Sequence, residues 1–84
     1  MQGDRRQAEP EYAEEWNAGH MGCGELLIEL RKRLKRMPGR TIRLVALDPG
    51  ALEDIPAWCR LTSNRLLLHD TQAGAFWIRS RDAW

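Results

Sequence analysis

Cys23 has the greatest chemical reach of any residue in this sequence. It stands in His20-Met21-Gly22-Cys23-Gly24-Glu25, between two glycines and at the head of a stretch with helical periodicity. A thiol at a helix start meets unpaired N–H groups and the positive end of the helix dipole, and both favour its anion. The thiolate is the nucleophilic form, so the position suits a cysteine that exchanges bonds at sulfur. Glu25 places a negative charge in the same turn and opposes ionisation. The balance predicts a thiol pKa modestly below the free value, which loss of the Glu25 charge would lower further. His20 is close enough in sequence to hydrogen-bond the thiolate or relay a proton, or else is a solvated loop histidine.

Asp48, which ends the next apolar run and precedes Pro49, has two compatible readings. It caps a following helix with Pro49 at the first helical position. It also lies near Cys23 if the strands before the two residues are parallel, because both chain turns then fall on one sheet edge. Cys59 follows Trp58 within a helical stretch and reads as a small buried apolar residue. A Cys23–Cys59 disulfide stays open, since it requires Cα atoms within about 7 Å. His20, Cys23, Cys59 and His69 match no zinc-ligand spacing, so no metal is expected.

The elements that must position these residues follow from periodicity. Residues 12–18 form a weak strand, ended by Gly19-His20-Met21-Gly22. Across 25–37, Leu27, Leu30, Leu34 and Met37 recur at helical spacing with Leu26 beside them. Arg31, Lys32, Arg33, Lys35 and Arg36 fill the rest, and Pro38-Gly39 ends the helix. Residues 41–47 are β-rich and nearly all apolar, as in a central strand. A second helix opens from Pro49 and runs through Trp58 and Leu61, with Asp54 and Pro56 repeating the start signal. Residues 64–69 and 75–80 are strands joined by a hairpin turn at Gln72-Ala73-Gly74.

The order is β-α-β-α-β-β. Two helices are too few to cover both sides of four strands. This predicts an α+β, two-layer α/β sandwich: a four-stranded mixed sheet with both helices on one face. The first crossover is right-handed and parallel. The expected core is Leu27, Leu30, Leu34, Ile42, Leu44, Ile55, Trp58, Leu67, Phe76 and Ile78. Trp77 and Arg79 alternate to the uncovered sheet side with Arg43. There they form a protein-binding surface or a shield for the open sheet. Arg31, in the basic helix run, lies on a solvated face or contacts a partner.

At 84 residues the chain is one small domain, expected over 12–84 behind a loose tail at 1–11. Thirteen Lys+Arg against twelve Asp+Glu leave a net charge of +1, which speaks against nucleic-acid binding by general attraction. No run approaches a membrane span. The opening residues contain no apolar signal segment, and two cysteines make no disulfide scaffold. A cytoplasmic location with reduced thiols is the expectation.

Cys23-Gly24-Glu25-Leu26, the helix with Leu30-Arg31-Lys32, a strand, Asp48-Pro49, and Asp54-Ile55-Pro56-Ala57-Trp58-Cys59 together resemble the TusA/SirA sulfur-carrier family. The likeness covers roughly Tyr12 to Arg81. The family motif is Cys-Pro-x-Pro, and here Gly24 and Leu26 stand at the proline positions. The resemblance implies the two-layer sandwich and a sulfurtransferase or sulfur-carrier role without a cofactor. Cys23 would bear a persulfide received from a cysteine desulfurase or another sulfur donor and passed to an acceptor protein. The destination in the family is tRNA thiolation or sulfur metabolism. The alternative is a non-catalytic protein-binding or regulatory module of the same fold.

Overall fold

A computed structural model describes residues 9–84. The tail expected over 1–11 lies outside the described residues except for its last three positions. The elements are β1 (Glu14–Gly19), α1 (Cys23–Lys35), β2 (Thr41–Ala46), α2 (Ala51–Thr62), β3 (Arg65–Asp70) and β4 (Ala75–Arg79). They form one four-stranded mixed sheet in the order β1-β2-β4-β3. β1 and β2 are parallel, and β4 runs antiparallel to both β2 and β3.

Strand alternation decides which side of the sheet is covered. Trp16, Leu44 and Phe76 stand in register across β1, β2 and β4, with Ile42 opposite Ile78. These five join Leu26, Leu30 and Leu34 of α1 and Ala51, Ile55 and Cys59 of α2 in one core. Both helices therefore lie on the same sheet face, and the fold is an α+β two-layer sandwich. Among the described residues no helix is long and apolar enough to cross a membrane.

Three expected core positions differ. The buried stripe of α1 is Leu26, Leu30, Leu34 and Met37, and Leu27 is only half-buried beside it. Leu26, Leu30, Leu34 and Met37 follow one another at steps of four, four and three, so Leu26 rather than Leu27 continues the inward face. Trp58 is likewise at the core margin. Leu67 is exposed, because a register shift between Leu66 and Leu68 interrupts the alternation of β3 and leaves Leu66 to pack against the core.

Gly24 is the second residue of α1, and a Cβ there would meet nothing within 4 Å. Gly24→Ala is expected to stabilise the domain by up to about 1 kcal/mol, because alanine loses less backbone entropy on entering a helix. The readout is a higher urea midpoint at an unchanged m-value.

Candidate functional site

Parallel pairing of β1 and β2 places Gly19 opposite Ala46, so both strands end on one edge of the sheet. The Leu47 N–H donates to the Gly19 carbonyl at 2.8 Å and ties the two exits together. From there each chain turns over the core and starts a helix. α1 begins at Cys23 and α2 at Ala51, so two helix N-termini converge at this edge. Each is preceded by a glycine N-cap, Gly22 and Gly50, with no side chain to occupy the free N–H groups.

Cys23 is the first residue of α1 rather than the one before it, and it is half-buried. Its thiol donates to Asp48 Oδ2 at 3.1 Å, across 25 residues of sequence. The same oxygen accepts the Gly50 N–H at 3.0 Å. Asp48 is therefore not the cap of α2. Its side chain turns back over the Asp48-Pro49-Gly50 bend, while its carbonyl accepts the Ala51 N–H. Pro49 lies in that bend, two residues ahead of the helix. Pro56 sits inside α2 rather than at its start.

The ionisation of Cys23 runs opposite to the expectation from the helix dipole. Partial burial pushes its thiol up to about 12, helped by the bond to Asp48, the charge of Asp48, and the charge and hydrogen bonding of Asp54. A dipole contribution of about 0.3–1 kcal/mol at an exposed helix end does not offset desolvation with two carboxylates. The opposing acids are thus Asp48 and Asp54, and Glu25, exposed on the first turn of α1, is not among them. Asp54 and Gly50 were not legible as site residues. Gly50 caps α2 and Asp54 stands four residues on, the spacing that stacks Asp54 over the helix start.

Cys59 is a separate case. It is buried in the core, its thiol is pushed up to about 12 mainly by burial, and both cysteines are free thiols. His20 is exposed, and the Cys23 thiol is bonded to Asp48 rather than to it. Gly24 and Glu25 are exposed in the first turn of α1.

The residues expected to form a partner surface lie elsewhere. Arg31 is exposed on α1. Arg43, Trp77 and Arg79 do share the sheet face away from the helices, since their register neighbours Ile42, Leu44, Phe76 and Ile78 face the core. Trp77, however, is only 1% exposed, with the Arg43 guanidinium 5.1 Å from its ring centroid. Arg43 is also paired with Glu15. Arg79 donates to the Gly39 carbonyl at 3.0 Å and pairs with Asp82 at 3.6 Å. These side chains are engaged within the domain. Trp77 lies on an inner strand flanked on both sides and itself offers almost no surface to a partner.

What the edge offers chemically is one accessible sulfur at a double helix start, bracketed by two carboxylates. The fold is a small α+β domain with one part-exposed cysteine, Cys23, at this edge and one buried cysteine, Cys59, in the core. The family model for sulfurtransferase TusA matches residues 14–81, from the first strand to just beyond the last. The chain belongs to the sulfurtransferase TusA family, whose members act in sulfur relay with other proteins. Against the family motif, Leu26 at the second proline position is wholly buried, and its N–H donates to the Gly22 carbonyl at 2.8 Å. Proline has no N–H to make that bond. Leucine at this position thus makes a backbone bond that proline could not make, and its side chain packs in the core.

Proposed function

We propose that this protein is a sulfur carrier in which Cys23 accepts a sulfane sulfur and relays it to a partner protein. In loading, Cys23 sulfur attacks the outer sulfur of a donor persulfide. A new S–S bond forms, the donor S–S bond breaks, and the donor leaves as a thiol bearing one proton. Carrier thiol plus donor persulfide become carrier persulfide plus donor thiol, with no net oxidation and no cofactor. Delivery repeats the exchange with a thiol of the acceptor. A cysteine desulfurase is a donor of the required chemistry, and a reducing cytoplasm is the compartment that keeps Cys23 free.

The observation that carries this reading is the position of Cys23: first residue of α1, part-exposed, at the edge where two helices begin. Cys59 has no comparable access. Exposed Leu47 and Leu52 flank the site and, with Pro49 and the β3–β4 turn, line a shallow groove of about 170 Å³ beside Asp48. These offer apolar contact to a docking protein whose cysteine must reach Cys23.

A second reading has a specific observation in its favour. Partial burial, with Asp48 and Asp54 beside it, pushes the Cys23 thiol well above its ordinary range, and the motif prolines are replaced by Gly24 and Leu26. A module that kept the fold and binds partners without transferring sulfur fits those facts. Incubation with a cysteine desulfurase and cysteine separates the two readings. A carrier gains one sulfur atom on Cys23, and a binding module gains none.

A further inference from the structure

Gly50 turns its bare α-carbon towards the site. A Cβ built there would lie 3.0 Å from Asp48 Oδ2, 3.4 Å from Asp54 Oδ2 and 3.4 Å from Cys23 Sγ. The backbone does not demand glycine, since φ −71° and ψ −17° are ordinary right-handed helical values open to any residue. What glycine supplies is room. Its N–H supplies something else: it donates to the same Asp48 oxygen that receives the Cys23 thiol.

We propose that Gly50 is a positioning residue for Cys23. Its N–H anchors the Asp48 carboxylate, and its missing side chain lets that carboxylate close on the thiol. The unloaded cysteine is thereby kept in its protonated resting form. The proposal deepens the sulfur-carrier reading and rests on it for its purpose. A thiolate is the form that stray electrophiles and oxidants attack, so a resting thiol survives until a sulfur donor docks. Once loaded, the outer sulfur stands about 2 Å beyond Sγ, past the atom that Asp48 binds.

A glycine serving only as the N-cap of α2 makes a different prediction. Its replacement would alter helix stability and leave the thiol alone. Gly50→Ala tests the difference. The nearest obstacle to the new methyl is the tip of the Asp48 side chain, which moves more readily than backbone, so the carboxylate is expected to withdraw from Cys23.

The measurement is the pH profile of Cys23 alkylation by iodoacetamide, on protein whose fold is verified by circular dichroism. Wild type, Gly50→Ala, Asp48→Asn and the double variant are compared. Gly50→Ala is expected to shift the profile to lower pH by at least about half a unit, or about threefold more thiolate at a given pH. The alanine is expected to add no further shift in the Asp48→Asn background, because both changes act through one carboxylate. An unmoved or upward-shifted Gly50→Ala profile would overturn the proposal. So would a shift that simply adds to that of Asp48→Asn. The profile reports thiol ionisation alone, and sulfur loading is a separate assay, so this inference and the carrier reading can fail independently.

Discussion

Asp48→Asn is expected to make Cys23 markedly more reactive at neutral pH. Asp48 contributes both a hydrogen bond and a charge to the elevation of the thiol pKa to about 12. Asparagine keeps the size of the side chain and an oxygen for the Gly50 N–H, but removes the charge. Burial and Asp54 remain, so the pKa falls without returning fully to that of a free cysteine. Below the pKa, each unit of decrease gives tenfold more thiolate. The less basic thiolate is also a weaker nucleophile, with a Brønsted coefficient of about 0.4–0.5, so the net gain is about threefold per unit. Alkylation followed across the neutral and alkaline range reads both the shift and the rate. Buried Cys59 does not compete for the reagent on this timescale. Glu25→Gln is the control and is expected to leave the profile in place. A slower Asp48→Asn variant would mean that Asp48 helps the proton leave sulfur instead of holding it there.

The second large effect concerns stability. Leu30 is fully buried in the middle of the α1 stripe, in the core shared with α2 and the sheet. Leu30→Ala is expected to cost about 2–5 kcal/mol, the sum of lost transfer energy and a cavity that the neighbours fill only partly. Domains have about 5–15 kcal/mol in total, and one of 84 residues has a small core, so the loss is a large share. Urea unfolding gives the change as a lower midpoint. Leu61, 84% exposed on α2, is the reference position: Leu61→Ala is expected within about 0.5 kcal/mol of wild type. Equal effects at the two positions would contradict the assignment of the core.

The architecture was legible because it depends on periodicity and a handedness rule. Leu30 and Leu34 announce the buried side of α1, and Ile42 and Leu44 that of β2. The parallel crossover then brings the Cys23 and Asp48 turns to one edge without any knowledge of side chains. What was not legible depends on local geometry. Leu67 follows strand alternation on paper, but the irregularity at Leu66/Leu68 resets the alternation, and no residue in Arg65–Asp70 signals it. Alternation gives the sheet face of Trp77, but its depth depends on the strand order β1-β2-β4-β3 and on Arg43 lying over its ring, and neither is written in the local sequence.

The site divides in the same way. Cys23 stands out by residue type and by its place before a helical stretch. Its ionisation does not, because the dipole argument counts only α1 and leaves out partial burial, Asp48 from the β2–α2 connection and Asp54 from α2. Asp48 reads as a cap from its proline neighbour, yet the helix begins three residues later and frees its carboxylate for the thiol. Gly50 carries no signal beyond being a glycine in a bend. Its importance appears only where Cys23, Asp48 and Asp54 converge on the space it leaves.

The central claim is that Cys23 carries the sulfur. Wild type, Cys23→Ser and Cys59→Ser proteins are each incubated with a cysteine desulfurase and cysteine, and their intact masses and cysteine-containing peptides are then measured. Wild type and Cys59→Ser are expected to gain one sulfur atom, about 32 Da, on the Cys23 peptide, removable by a thiol reductant. Cys23→Ser is expected to gain nothing. Sulfur that persists in Cys23→Ser would move the chemistry to Cys59, and a wild-type protein that takes up none would leave this fold as a binding module.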